Sequence, residues 1–168
     1  FEYTGDSGAS LLVTPMSQRA IVSMAMTLQQ SFGCCLIGEP GCGKTFLTMA
    51  LAQSAGIPVF EVLESVAWAT TDADDPLDAH ITSSMLMGIA GSGGWGVFTA
   101  PKCWPIPVVA AFAQAVRSLQ EALRSQRETI CIAGEQIEVK SGSAVFVTAL
   151  SEDVMSRQVL PSSVSVLF

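Results

Sequence analysis

Eight consecutive residues, Gly38-Glu39-Pro40-Gly41-Cys42-Gly43-Lys44-Thr45, fit the pattern G-x-x-x-x-G-K-S/T at every fixed position. Glycines at this spacing let backbone N–H groups turn inward around a phosphate. A helix starting near Lys44 would aim the positive end of its dipole at the same anion. Lys44 is placed to reach β- and γ-phosphates, and the Thr45 hydroxyl to ligate Mg²⁺. The candidate site is therefore Gly38, Glu39, Pro40, Gly41, Cys42, Gly43, Lys44 and Thr45, with Thr45 on the metal. The chemistry implied is binding of ATP or ADP with Mg²⁺.

Such a loop works only between a strand and a helix. Upstream, Cys34-Cys35-Leu36-Ile37 reads as a buried strand. Downstream, Phe46 to Ala55 reads as a helix closed by Gly56. Before them, Thr14 and Pro15 open a helix as N-cap and first helical residue. Its apolar face is Ile21, Met24, Leu28 and Phe32, and Gly33 ends it. Pro58 to Leu63 reads as a second strand. A helix over about 77–90 follows, with Ile81, Met85 and Ile89 on one face, and Gly91 to Gly94 break it. Trp95 to Phe98 is a buried strand. Pro101, Pro105 and Pro107 lead into a long helix that reaches about Gln126, with Val108, Phe112, Ala115, Leu119 and Leu123 as its core face. Arg117, Glu121 and Arg124 read as its solvated face. Thr129 to Ala133 and Gln136 to Lys140 flank Gly134-Glu135 as a β-hairpin. Ala144 to Thr148 is a further buried strand, and residues 151–168 show no clear period. Strands alternating with helices give an α/β fold with a parallel sheet.

Composition narrows the partners. Of 168 residues, 49% are hydrophobic and 14% charged, and the net charge is −7. A large core is affordable, with more apolar surface than a free monomer shows. There is no basic stripe, so nucleic acid is not expected. No apolar run reaches the roughly 18 residues of a membrane span, so no membrane partner is expected either. The cysteines (Cys34, Cys35, Cys42, Cys103 and Cys131) show no C-x-x-C spacing beside the single His80, which argues against zinc. Their odd count points to a reducing compartment. Asp72, Asp74, Asp75, Pro76 and Asp78 form an acidic loop whose spacing matches no Ca²⁺ loop.

The order of these pieces resembles the first AAA+ module of dynein heavy chains, the module with the main hydrolytic site. Phe1-Glu2-Tyr3-Thr4-Gly5 resembles that family's Phe/Tyr-Glu-Tyr-Leu-Gly opening. Val13-Thr14-Pro15 with Arg19 resembles its Thr-Pro-Leu-Thr-Asp-Arg segment. Gly88 to Phe98 resembles the run into the Walker B strand, and Ala144 to Thr148 the sensor strand. Ser156 to Pro161 resembles a Gly-Arg-Ser-Glu-Leu-Pro segment, with Leu167-Phe168 after it. The resemblance covers essentially the whole chain.

It fails at the hydrolytic positions. The family's Walker B strand ends Phe-Asp-Glu-Phe-Asn-Arg, whereas this chain reads Phe98-Thr99-Ala100-Pro101-Lys102-Cys103. Thr99 stands for the Asp that holds Mg²⁺, and Ala100 for the Glu that orients water. The sensor strand ends Thr148-Ala149-Leu150-Ser151 instead of Thr-Met-Asn-Pro. Loss of a general base typically slows a reaction about 10²- to 10⁴-fold. Glu152, Asp153 and Glu39 are the nearby carboxylates that could substitute.

The resemblance implies a three-layer αβα AAA+ P-loop NTPase large subdomain over residues 1–168, with a hairpin insert near 129–140. It implies a fragment of a longer multi-module chain, without the small helical lid. Partners by resemblance are neighbouring AAA+ modules of the same chain. Intermediate chains, light chains and microtubules would be reached through the parent, in a cytoplasmic or axonemal cytoskeletal complex. Residues 11–15 would contact adenine, and Arg157 a neighbouring module or nucleotide charge. The expected function is nucleotide binding with impaired hydrolysis. The alternatives are a hydrolytically active motor module using a substitute base, and a structural ring module without useful nucleotide binding.

Overall fold

The computed structural model describes residues 14–62, 76–99, 106–151 and 167–168. Helix α1 (Pro15–Gln29) starts where Thr14 and Ser17 form a reciprocal capping box: Ser17 N–H donates to Thr14 Oγ1 at 3.1 Å and Thr14 N–H to Ser17 Oγ at 2.8 Å. Strand β1 (Cys34–Gly38) leads through the glycine loop into α2 (Lys44–Ala55), which Gly56 closes in the left-handed conformation, as expected. Then follow β2 (Val59–Val62), α3 (Pro76–Ser92), β3 (Trp95–Thr99), α4 (Ile106–Arg124), the hairpin strands β4 (Thr129–Ile132) and β5 (Glu135–Glu138), and β6 (Ala144–Leu150).

The main sheet has the order β1-β6-β3-β2, and every neighbouring pair is parallel. Parallel pairs require crossovers, and the helices supply them on both faces. The period-2 alternation of β3 and β6 sorts the core. Phe98, Val145, Val147 and Ala149 join Leu86 and Ile89 of α3 and Phe112, Val116 and Leu119 of α4. Trp95, Val97, Ala144 and Phe146 join Met24 of α1, Ala52 of α2 and Cys34 of β1 on the other side. The expected three-layer α/β architecture is what these residues build. Phe98 and Phe112 meet edge to face at 5.1 Å, and Trp95 lies 4.9 Å from Phe146. Gly96 is where α3 comes closest, since a Cβ there would stand 2.3 Å from Ile89 Cδ1.

Several local expectations shift. The core side of α3 is Thr82, Ser83, Leu86, Ile89 and Ala90, while Ile81 and Met85 are only half-buried. Apolar spacing misses this face because two of its buried positions are small polar residues. The hairpin turn is Ala133-Gly134, one residue earlier than expected. Both have positive φ (52° and 88°), the two-residue turn that matches strand twist. Phe32 lies beyond α1 and carries the Arg124 guanidinium 3.9 Å above its ring, so Arg124 is not merely solvated. Gly33 does not cap α1. Its lack of a side chain admits the Phe168 ring, which a Cβ would meet at 2.4 Å. Strand β1 is less buried than its apolar run suggests, with Ile37 exposed.

Candidate functional site

Strand β1 ends at Gly38, where a Cβ would stand 2.9 Å from Cys42 Sγ, so a larger residue there would require the Cys42 side chain to shift. Cys42 N–H donates to the Glu39 carbonyl at 3.3 Å and turns the chain. Gly41 and Gly43 have φ of +74° and +84°, which a side chain would strain. Among the described residues, nothing beyond the immediate chain neighbours lies within 4 Å of where their Cβ atoms would be. Pro40 and Cys42 are exposed on the turn, and Thr45 is the half-buried second residue of α2. Gly43 is the N-cap of α2 and gives it no side-chain cap, so the first-turn N–H groups lack that partner.

Lys44 does not extend into solvent. Its Nζ donates to the carbonyls of Gly38 at 2.9 Å and Glu39 at 2.8 Å, with Cys42 Sγ at 3.7 Å. The ammonium is thus fixed at the loop's rim. Open glycine backbone, an uncapped helix start and an anchored cation make an arrangement that can receive a phosphate. The residues present fit that group.

Beside the loop lies a cavity of about 640 Å³. It is lined by Thr14, by Met16 and Ser17 of α1, by Ile37 of β1 and Phe46 of α2, and by Glu39 and Lys44. Met16 is 81% exposed and Ile37 51%, so the cavity offers unpaired apolar surface next to a phosphate-sized cradle.

At the neighbouring strand ends, Thr99 closes β3 opposite the buried Thr148 of β6, and Gly38 pairs with Leu150. Ser151, just past β6, donates its hydroxyl to the Glu39 carboxylate. Sequence reasoning gave Ser151 no role, and no local signal could have found one. Residues 11–13, Ala100 to Cys103, Glu152, Asp153, Arg157 and Asp72 to Asp75 lie outside the described residues, so the expectations placed on them are not addressed.

Of the four described thiols, Cys42 and Cys131 are exposed while Cys34 and Cys35 are wholly or partly buried. Cys35 is pushed up to about 11, first by burial and then by the neighbouring Cys34. Burial also raises Cys34, partly offset by the Thr27 hydroxyl. Cys42 is free and exposed in the loop. Two further cavities, of about 370 and 350 Å³, share Ser118, Cys131 and Gly134 along the hairpin. No helix among the described residues is long and apolar enough to cross a membrane.

A glycine loop between the first strand of a parallel sheet and an uncapped helix defines a P-loop α/β domain. The chain belongs to the family described as the hydrolytic ATP binding site of dynein motor region, which matches residues 1–168. It is similar to dynein axonemal heavy chain 1 of Mus musculus, 28% identical over 168 residues, covering 100% of this chain and 4% of the relative. It is also similar to dynein axonemal heavy chain 9 of Homo sapiens, at 25% with the same coverage. The dynein beta chain of the flagellar outer arm of Chlamydomonas reinhardtii is 26% identical over 100% of this chain and 3% of its own length. The chain thus spans only about 4% of the length of such relatives.

Proposed function

We propose that this chain is the first AAA+ module of a dynein-like microtubule motor heavy chain, one that holds Mg-nucleotide and hydrolyses it poorly. The observation that carries this reading is a contrast between the ends of two strands that flank β6. At β1, Lys44 is anchored on the Gly38 and Glu39 carbonyls beside open glycine backbone. At β3, the strand ends in Thr99, an uncharged residue where the family pattern has the metal-holding Asp. Gly38, Gly41 and Gly43 shape the phosphate cradle, with Glu39, Pro40 and Cys42 completing the turn. Lys44 meets the β- and γ-phosphates, and Thr45 holds Mg²⁺. The cavity between Thr14, Met16 and Phe46 takes the base. Ala100, in place of a general base, leaves the attacking water unoriented.

Bound ATP or ADP then acts as a structural ligand that stabilises the fold by mass action. Residues 1–168 form one large subdomain of a longer chain. Neighbouring modules of that chain complete the pocket, and the parent reaches intermediate chains, light chains and microtubules in a cytoplasmic or axonemal assembly.

The test is a Mg-ATP titration of the full-length polypeptide beside Lys44→Ala, with single-turnover hydrolysis followed in the same samples. Loss of the charged contacts should weaken the Lys44-dependent component about tenfold to a hundredfold. Binding without product supports the proposal. Lys44-dependent turnover overturns the hydrolytic part and favours a substitute base. Absence of Lys44-dependent binding leaves only a structural ring role.

A further inference from the structure

The phosphate loop contains one cation, Lys44, and one carboxylate, Glu39. They are not independent. The Lys44 ammonium sits on the Glu39 carbonyl at 2.8 Å, so residue 39 lies at the end of the cradle that Lys44 serves. In a loop of this kind Lys reaches the β- and γ-phosphates, so this is the end where a third phosphate adds charge. The Glu39 side chain is not left to swing in solvent. Ser151, past the end of β6, donates to its carboxylate. Strands β1 and β6 are paired in register up to Gly38 and Leu150, so the hydroxyl comes from the residue directly after a fixed part of the sheet. Glu39 also lines the cavity beside the loop.

From this juxtaposition we infer that Glu39 is a specificity residue that biases the loop toward a nucleoside diphosphate over the triphosphate, and that Ser151 is the positioning residue that holds its carboxylate in place. The inference rests on the nucleotide-binding reading above. Two negative groups near one cation repel, and a triphosphate carries one more phosphate into that region than a diphosphate. The carboxylate is exposed, so water and salt screen the effect to a modest factor. Thr99, at the end of β3, carries no charge of its own.

The test needs occupancy at this loop alone, and Cys42 supplies it, being exposed within the loop. Alkylation of Cys42 is followed by peptide mass spectrometry on the full-length polypeptide, with Mg-ADP or Mg-ATP titrated as protectant and Lys44→Ala as the control. The parent protein should be half-protected at a lower concentration of Mg-ADP than of Mg-ATP. Glu39→Gln keeps an oxygen for Ser151 but removes the charge. It should improve protection by Mg-ATP more than by Mg-ADP, closing the ratio by about threefold to tenfold. Ser151→Ala should close the ratio part of the way, and Ser151→Thr, which retains the hydroxyl, should restore it. A ratio unchanged in Glu39→Gln overturns the inference while nucleotide binding stands. Weaker Mg-ATP protection in Glu39→Gln also overturns it, and makes the carboxylate a metal or water partner instead. If no nucleotide protects Cys42 in any variant, the binding reading falls and this inference with it.

Discussion

The two faces of the sheet are finished to different degrees. On the α3–α4 face, Leu86, Phe98, Phe112, Val116, Leu119 and Val147 are almost fully excluded from water. On the α1–α2 face, the buried set is smaller, and Met16, Val22, Met26 and Phe46 remain exposed. The phosphate loop and its cavity open on this second face. One side of the sheet therefore supplies stability, while the other keeps apolar surface available beside the glycine cradle. A closed face tolerates little change, and an open one is free to accept a ligand or a neighbouring module.

The sharpest test of this contrast is Phe112→Ala. It removes a fully buried ring that packs edge to face on Phe98, and should lower unfolding stability by about 3–5 kcal/mol. A denaturant midpoint that barely moves would mean the α3–α4 face is not the closed one. The second test is alkaline pH. Cys35 is raised to about 11 by burial, and Cys34 is raised as well, so the folded state holds these protons more tightly than the unfolded chain. Their contribution is fully present below the ordinary thiol value near 9 and is lost as pH climbs toward 11. A Cys35→Ala variant should flatten that decline, as read by melts across this range. Third, Thr14→Ala breaks the capping box and should cost about 1 kcal/mol, together with faster amide exchange in the first turn of α1. The smallest effect belongs to Met26→Ala on the open face, within about 0.5 kcal/mol. A larger loss there would show that something already covers α1.

What could be read from the chain was what is encoded locally. The phosphate loop was legible because positive-φ glycines and the Lys44-Thr45 pair lie within eight residues. The parallel sheet was legible because short apolar runs such as Trp95–Phe98 and Ala144–Thr148 alternate along the chain with helical segments. The buried side of α3 was not, because Thr82 and Ser83 face the core and defeat an apolar count. The hairpin turn slipped by one residue because Ala133 takes the positive φ expected of glycine alone. The Glu39–Ser151 bond was invisible, since its partners are 112 residues apart and meet only through strand pairing.

The pairing of β1 with β6 also sets a schedule for biogenesis. Cys34 to Gly38 find their only described neighbour strand in Phe146 to Leu150, about 110 residues downstream. At translation speeds of about 5–20 residues per second, β1 waits roughly 6–20 s on the ribosome before that strand exists. Through that interval the segment carrying the glycine loop is a newborn chain with an unsatisfied edge. The loop is therefore made well before the strand that completes its edge.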